Sequence, residues 1–160
     1  MTTTDTFIKM IFDRWNGSIK NCNTILQSIT DEKLQQEIAP GKNRGIYLLG
    51  HLIAVHDDMI VLLDLGEKVY PELHEAFVKF PDKTITEVPT AEQLRNFWTT
   101  QCEVLTQRFA DLKPEGWLEK HTAVSAEDFA KEPHRNKLNI ILTRTTHLNY
   151  HTGQLVLLKS

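Results

Sequence analysis

Residues Asp5 to Ile29 read DTFIKMIFDRWNGSIKNCNTILQSI, and the spacing of their apolar side chains decides the fold class. Ile8, Ile11, Phe12, Trp15, Ile19, Cys22, Leu26 and Ile29 recur at three- and four-residue steps. That period places all eight along one side of an α-helix, whereas a strand would need alternation at every second residue. An apolar stripe of this length has to be buried against partners of similar length.

Three further segments supply such partners. After Thr30-Asp31 and Pro40-Gly41 break the first pattern, a second helix is expected from near Gly45, with Asn43 as its candidate cap, to about Leu65. Gly66 stops it, and Leu48, Leu52, Val55, Met59, Leu62 and Leu63 face the core. The third opens on Thr90-Ala-Glu-Gln93, a capping-box spacing, and carries Leu94, Phe97, Trp98, Leu105, Phe109 and Leu112 inward until Pro114 and Gly116. The fourth starts around Asn136 and runs to the chain end, with Ile140, Ile141, Leu148, Leu155 and Leu158 inward. Trp15 and Trp98 read as core. Strand alternation is confined to a few residues near Thr84 to Val88.

The connections are unequal. Gly66 to Pro89 is long, holds Pro71, Pro81 and Pro89, and has room for a short helix over Glu72 to Lys79. Glu115 to Arg135 is also long and contains Trp117, which either lines a pocket or anchors the loop. Four helices of similar length with no Gly-rich phosphate loop predict an all-α four-helix bundle, one domain over residues 1–160. A short first connection favours antiparallel neighbours, and the two long ones permit an overhand order.

Composition narrows the function classes. Hydrophobic residues at 41% and charged residues at 24% fit a globular chain. A net charge of −3 with no basic block argues against nucleic acid as partner. No uncharged apolar run approaches roughly 18 residues, which argues against membrane insertion. Residues 1–7, MTTTDTF, lack the basic start and apolar stretch of a signal peptide, so a cytoplasmic location is expected. Cys22 and Cys102, inside amphipathic patterns, then read as reduced packing residues without a function.

Chemistry concentrates in the histidines. His74, His121 and His134 fall in polar connections, where solvated histidines are ordinary, and His56, at a different angle from His51, reads as partly buried and structural. His147 and His151 are four residues apart on the fourth helix. Four residues advance a helix by about 40° and about 6 Å, so both rings point the same way from consecutive turns. That spacing lets two neutral imidazoles share one metal ion. His51, on the second helix with Leu48, Val55 and Leu62, also looks inward. Spacing alone leaves two accounts open: a three-histidine metal site in the bundle core, or three hydrogen-bonded core histidines.

The segment Asn43-Arg-Gly-Ile-Tyr-Leu-Leu-Gly-His-Leu52 resembles the second-helix motif of the DinB-like (DNA-damage-inducible, YfiT-like) metalloprotein family. The segment Thr146-His-Leu-Asn-Tyr-His-Thr-Gly-Gln-Leu155 resembles the family's fourth-helix H-x-x-x-H-x-G-Q-L signature. Their order and spacing match over nearly the whole chain. The resemblance implies a right-handed up-up-down-down bundle, often a homodimer, holding one divalent ion through His51, His147 and His151. It also implies a choice of activities on a small molecule: thiol-dependent transfer or isomerisation with a low-molecular-weight thiol as cosubstrate, or hydrolysis. The family name reports damage induction in one lineage and implies no polymerase.

Three neutral imidazoles leave a dication's charge uncompensated, the condition for acidifying water towards about 7 or holding a thiol deprotonated. They suit several ions, with zinc or nickel expected first and iron or manganese next. Three candidate helpers surround them. Asp58 lies within about 20° of His51 on the helix wheel and is a candidate base or ligand-orienting group. Arg144, one turn before His147, is placed to meet an anionic substrate at the site mouth, and Gln154 to hydrogen-bond near the site. Gly153, which costs its helix about 1 kcal/mol relative to Ala, suggests a close helix or subunit contact. The competing account is a metal-binding bundle without turnover, serving stress-related binding or sensing.

Overall fold

The computed structural model describes residues 2–159. Its frame is four long helices: α1 (Thr3–Gln27), α3 (Gly45–Leu62), α4 (Ala91–Ala110) and α6 (Lys137–Leu155). Two short helices, α2 (Asp31–Leu34) and α5 (Ala126–Lys131), lie in the first and third connections. Among the described residues the only β pairing is two isolated bridges, Glu37 with Arg44 and Lys120 with Asn136.

Local sequence explains where the helices begin. Thr2 and Asp5 form a reciprocal capping box on α1, and Thr90 and Gln93 form the predicted one on α4. Each gives the helix start two partners for otherwise free N–H groups. Asn136 caps α6 by accepting from the Asn139 N–H. The Asn43 cap expected for α3 is not there: Arg44 holds the N-cap position and its side chain makes no capping bond. That side chain is instead spread across Asp82, with Nη2 2.7 Å from Oδ1. Helix α3 ends at Leu62, short of Gly66, where the chain turns through Asp64 at φ 58°.

The predicted stripes are the core. All eight apolar residues read from Asp5 to Ile29 belong to it or pack against it, as do the inward sets of α4 and α6. Trp117 is buried edge-on to Phe12 and Phe109, at 4.8 and 5.5 Å between ring centroids, so it anchors its loop. Both cysteines are free, and burial pushes the thiols up to about 11 at Cys22 and about 12 at Cys102. Neither supplies a thiolate at neutral pH.

The direction of the helices departs from the up-up-down-down order. Arg95, at the start of α4, donates to the Leu26 and Ile29 carbonyls at the end of α1. At that same end of the bundle, Leu158 beyond α6 packs against Gly45 at the start of α3. At the opposite end Arg108 of α4 reaches the Glu67 carbonyl just past α3, and Trp117 packs on Phe12 of α1. The order is therefore up-down-down-up: α3 and α4 run parallel, α1 and α6 run against them. Only one connection, residues 63–90, crosses from one end to the other; residues 111–136 stay at one end.

That crossover returns along the outside of α3. Buried Asp57 accepts from the Val69 and Tyr70 N–H groups at 3.1 and 2.5 Å and from Gln101 Nε2 at 2.7 Å. Further along, a single wide turn over Glu75–Lys79, closed by the Phe80 N–H on the Glu75 carbonyl, seats Phe77 against Gly50. Tyr47 then donates to the Phe80 carbonyl at 2.9 Å. Helix α3 is consequently buried almost all round and has no single core-facing stripe. It is long and apolar enough to cross a membrane by length and composition, yet 78% of it is buried inside the protein.

Candidate metal centre

His51 lies in the second turn of α3, and His147 and His151 lie in the last three turns of antiparallel α6. The helix period brings the pair to the α3 side of α6. Their ring nitrogens converge: His147 Nε2 is 3.2 Å from His51 Nε2 and 3.1 Å from His151 Nε2. One ligand nitrogen from each of the three lies within 4.8 Å of the other two.

The far sides of the rings decide what those contacts are. His51 Nδ1 is 2.7 Å from the Phe77 carbonyl. A carbonyl only accepts, so the ring proton is on Nδ1 and the Nε2 of the neutral ring presents a lone pair. His151 Nδ1 is likewise 2.7 Å from Gln154 Oε1, which leaves its Nε2 a lone pair. His147 Nδ1 is buried without a partner. At most one proton is then available among three nitrogens packed at hydrogen-bond distance. One proton can serve only one of the two close contacts well, whereas a cation among the three lone pairs serves all of them, and tetrahedral ligation with Zn–N bonds near 2.0–2.1 Å spaces nitrogens by about 3.3 Å. The donor set fits a divalent ion.

Electrostatics keep the rings neutral, as ligation needs. Burial, with the neighbouring rings of His151 and His51 and the Arg144 charge, lowers His147 to about 4. Burial also lowers His51 and His151, against the opposing hydrogen bonds from Phe77 and Gln154. Tyr47 lies nearly parallel to His51, with 10° between ring planes, and Tyr150 stands edge-on to His151.

The expected helpers separate on inspection. Gln154 contacts His151 directly and fixes its tautomer. Asp58 makes no bond to His51; it is held by Lys68 at 2.5 Å, while His74 Nδ1 lies 3.3 Å from the same oxygen without hydrogen-bonding geometry. Arg144 is partly buried with no partner for its Nε. His56 stays outside the cluster, fully buried between Trp15 and Trp98 with centroids 5.1 and 5.3 Å away.

Two contributors escaped the sequence. The Phe77 carbonyl is backbone, for which residue type carries no signal. Asp57, whose carboxylate ties the crossover to α3, is adjacent to Asp58 but about 100° round the helix; its place in an apolar run was the available hint. A cleft of about 690 Å³ at this end of the bundle is lined by Arg44, Ile46, Thr90 and Glu92, among others, and does not include the histidines.

Residues 15–155 match the DinB superfamily. The chain belongs to that superfamily. The match takes in all three histidines and Gln154. In fold this DinB-superfamily protein is similar to a conserved protein from Enterococcus faecalis, at a TM-score of 0.65 and 16% identity. That similarity covers 99% of this chain and 96% of the other. No curated protein matches the chain by sequence.

Proposed function

We propose that this DinB-superfamily protein binds one divalent metal ion, zinc or nickel first, through Nε2 of His51, His147 and His151, and acts on a small molecule there. The observation that carries the proposal is the convergence of three Nε2 atoms while the Nδ1–H groups of His51 and His151 are committed to oxygen acceptors. Three protein ligands leave a coordination position open, the pattern of catalytic rather than structural sites. A divalent ion there supplies Lewis acidity, lowering the pKa of a water or thiol that enters that position.

The protein's own part is positioning. The Phe77 carbonyl and Gln154 hold two of the rings in the tautomer and orientation that ligation requires, and such partners strengthen the ligand nitrogens. Thiol-dependent transfer is the first reaction class to test and hydrolysis the second. The non-catalytic alternative, an ion serving stability or sensing, draws on the position of the 690 Å³ cleft, which lies apart from the histidines.

A homodimer is part of the same proposal. Phe7 and Met10 on α1 and Leu142, Tyr150, Val156 and Leu157 on and after α6 are exposed, and Gly17 and Gly153 have open space above them. Close approach of a second copy would cover that face.

Elemental mass spectrometry after exhaustive dialysis tests the metal centre. About one ion per chain is expected in the wild type and none in the His147→Ala/His151→Ala variant. A wild type that stays empty after reloading with zinc, nickel, iron and manganese overturns the proposal.

A further inference from the structure

Arg144 stands one turn before His147 on α6, a rise of about 4.5 Å along the axis. Its Nε is buried without a hydrogen-bond partner, and among the described residues its guanidinium makes no ion pair. The other partly buried arginines are all engaged. Arg44 is spread over Asp82, and Arg95 holds Asp31 and two carbonyls of α1. Arg108 reaches the Glu67 carbonyl, and Arg135 reaches Glu132. Arg144 is the exception.

Its surroundings do not supply a counter-ion. Asp58 is the carboxylate whose charge bears on it, but it makes no ion pair with Arg144 and is already held by Lys68. The charges of Arg144 and the neighbouring His51 and His147 rings are mutually felt, so the guanidinium belongs electrostatically to the histidine cluster. His147 Nδ1 is a second buried nitrogen without a partner, three residues further along the same helix. A buried guanidinium N–H without an acceptor is unfavourable, and the planar fork of a half-buried arginine matches a carboxylate.

We propose that Arg144 anchors the ligand of this centre: it takes the carboxylate of a small anionic substrate or cosubstrate whose other end reaches the space between the three Nε2 atoms. This rests on the metal centre proposed above. It narrows the ligand to a short acid with a metal-seeking group a few bonds from its carboxylate. A thiol acid is the simplest such probe.

The test is calorimetric titration of the zinc-loaded protein with 3-mercaptopropionate and with neutral 3-mercapto-1-propanol, zinc content being measured before and after. Wild type is expected to prefer the acid by about tenfold, which is about 1.4 kcal/mol. Arg144→Gln should bring the two probes within about twofold, and Arg144→Lys should keep part of the preference, as expected for a charge-assisted contact. One zinc per chain in each variant shows that the site is intact. Equal binding of both probes by wild type, or a preference that survives in Arg144→Gln, overturns the anchor and leaves the metal centre standing. Failure of both probes to bind a protein that holds one zinc per chain overturns the open position, and the anchor with it.

Discussion

His56 makes the acid stability of this protein predictable. The ring is fully buried between two tryptophans, and neither nitrogen has a partner. Burial, with the charges of Arg144, His147 and His51, lowers its pKa from 6.5 to about 3. The unfolded chain titrates near 6.5, so between these values the unfolded state carries a proton that the native state refuses. A folded-state pKa below the unfolded one means stability is complete above pH 6.5 and is lost as pH falls towards 3. Between pH 7 and pH 5 this one ring accounts for a loss of about 2 kcal/mol. The assay is urea unfolding of the metal-free protein at both pH values, in wild type and His56→Leu. His51, His147 and His151 are also lowered and contribute to the acid loss of both proteins, so the difference between the two losses isolates His56. The variant should lose about 2 kcal/mol less than wild type. Its stability at pH 7 should differ by less than about 1.5 kcal/mol, because no hydrogen bond goes with the imidazole. Equal losses in the two proteins would refute the account of a neutral, unpartnered core histidine.

Gln154→Leu keeps all three ligands but removes the acceptor for His151 Nδ1–H; chelator competition should show metal affinity down about 10- to 100-fold. Unchanged affinity would show that Gln154 does not orient the ring. Gly50→Ala places a methyl group inside the Phe77 ring and should cost about 1–3 kcal/mol in denaturant while weakening the metal site through the displaced Phe77 carbonyl. A variant equal to wild type in both measurements would mean that the crossover does not support His51. Sedimentation velocity should find a dimer that Leu142→Glu dissociates; a monomeric wild type would remove the α1–α6 face as an interface.

Where the sequence was legible, covalent geometry was the reason. The eight residues between Ile8 and Ile29 lie on one face because helix period and spacing agree, and they are core for that reason. His147 and His151 share a direction for the same reason, and Thr90 with Gln93 caps because four residues suffice for that motif. What was not legible depends on contacts distant in sequence. The order of helix directions follows from which end each connection reaches, and that is set by Arg44 with Asp82 and by Asp57 with Val69 and Tyr70. The wheel placed Asp58 beside His51, but only the folded loop brings Lys68 to occupy it. Arg44 likewise carries no sign in its own sequence that it replaces Asn43 as the cap.

Topology and the three-histidine cluster are linked through the crossover. Because α3 and α4 run parallel, the chain has to travel back along a helix of 18 residues, about 27 Å, before α4 can begin. That return path lies on the outer face of α3, which is why α3 is apolar on nearly every side. It also explains Gly50: any side chain there would occupy the volume of the Phe77 ring. With Phe77 docked, its carbonyl lies 2.7 Å from His51 Nδ1 and fixes the proton on the side away from the other two histidines. A direct loop between antiparallel helices would leave that nitrogen to water and the tautomer free. The 28 residues between α3 and α4 are therefore part of the proposed metal centre, although 26 positions separate Phe77 from His51. Substitutions that loosen the docking of Phe77 or Tyr70 should reach the metal through His51 without touching a ligand.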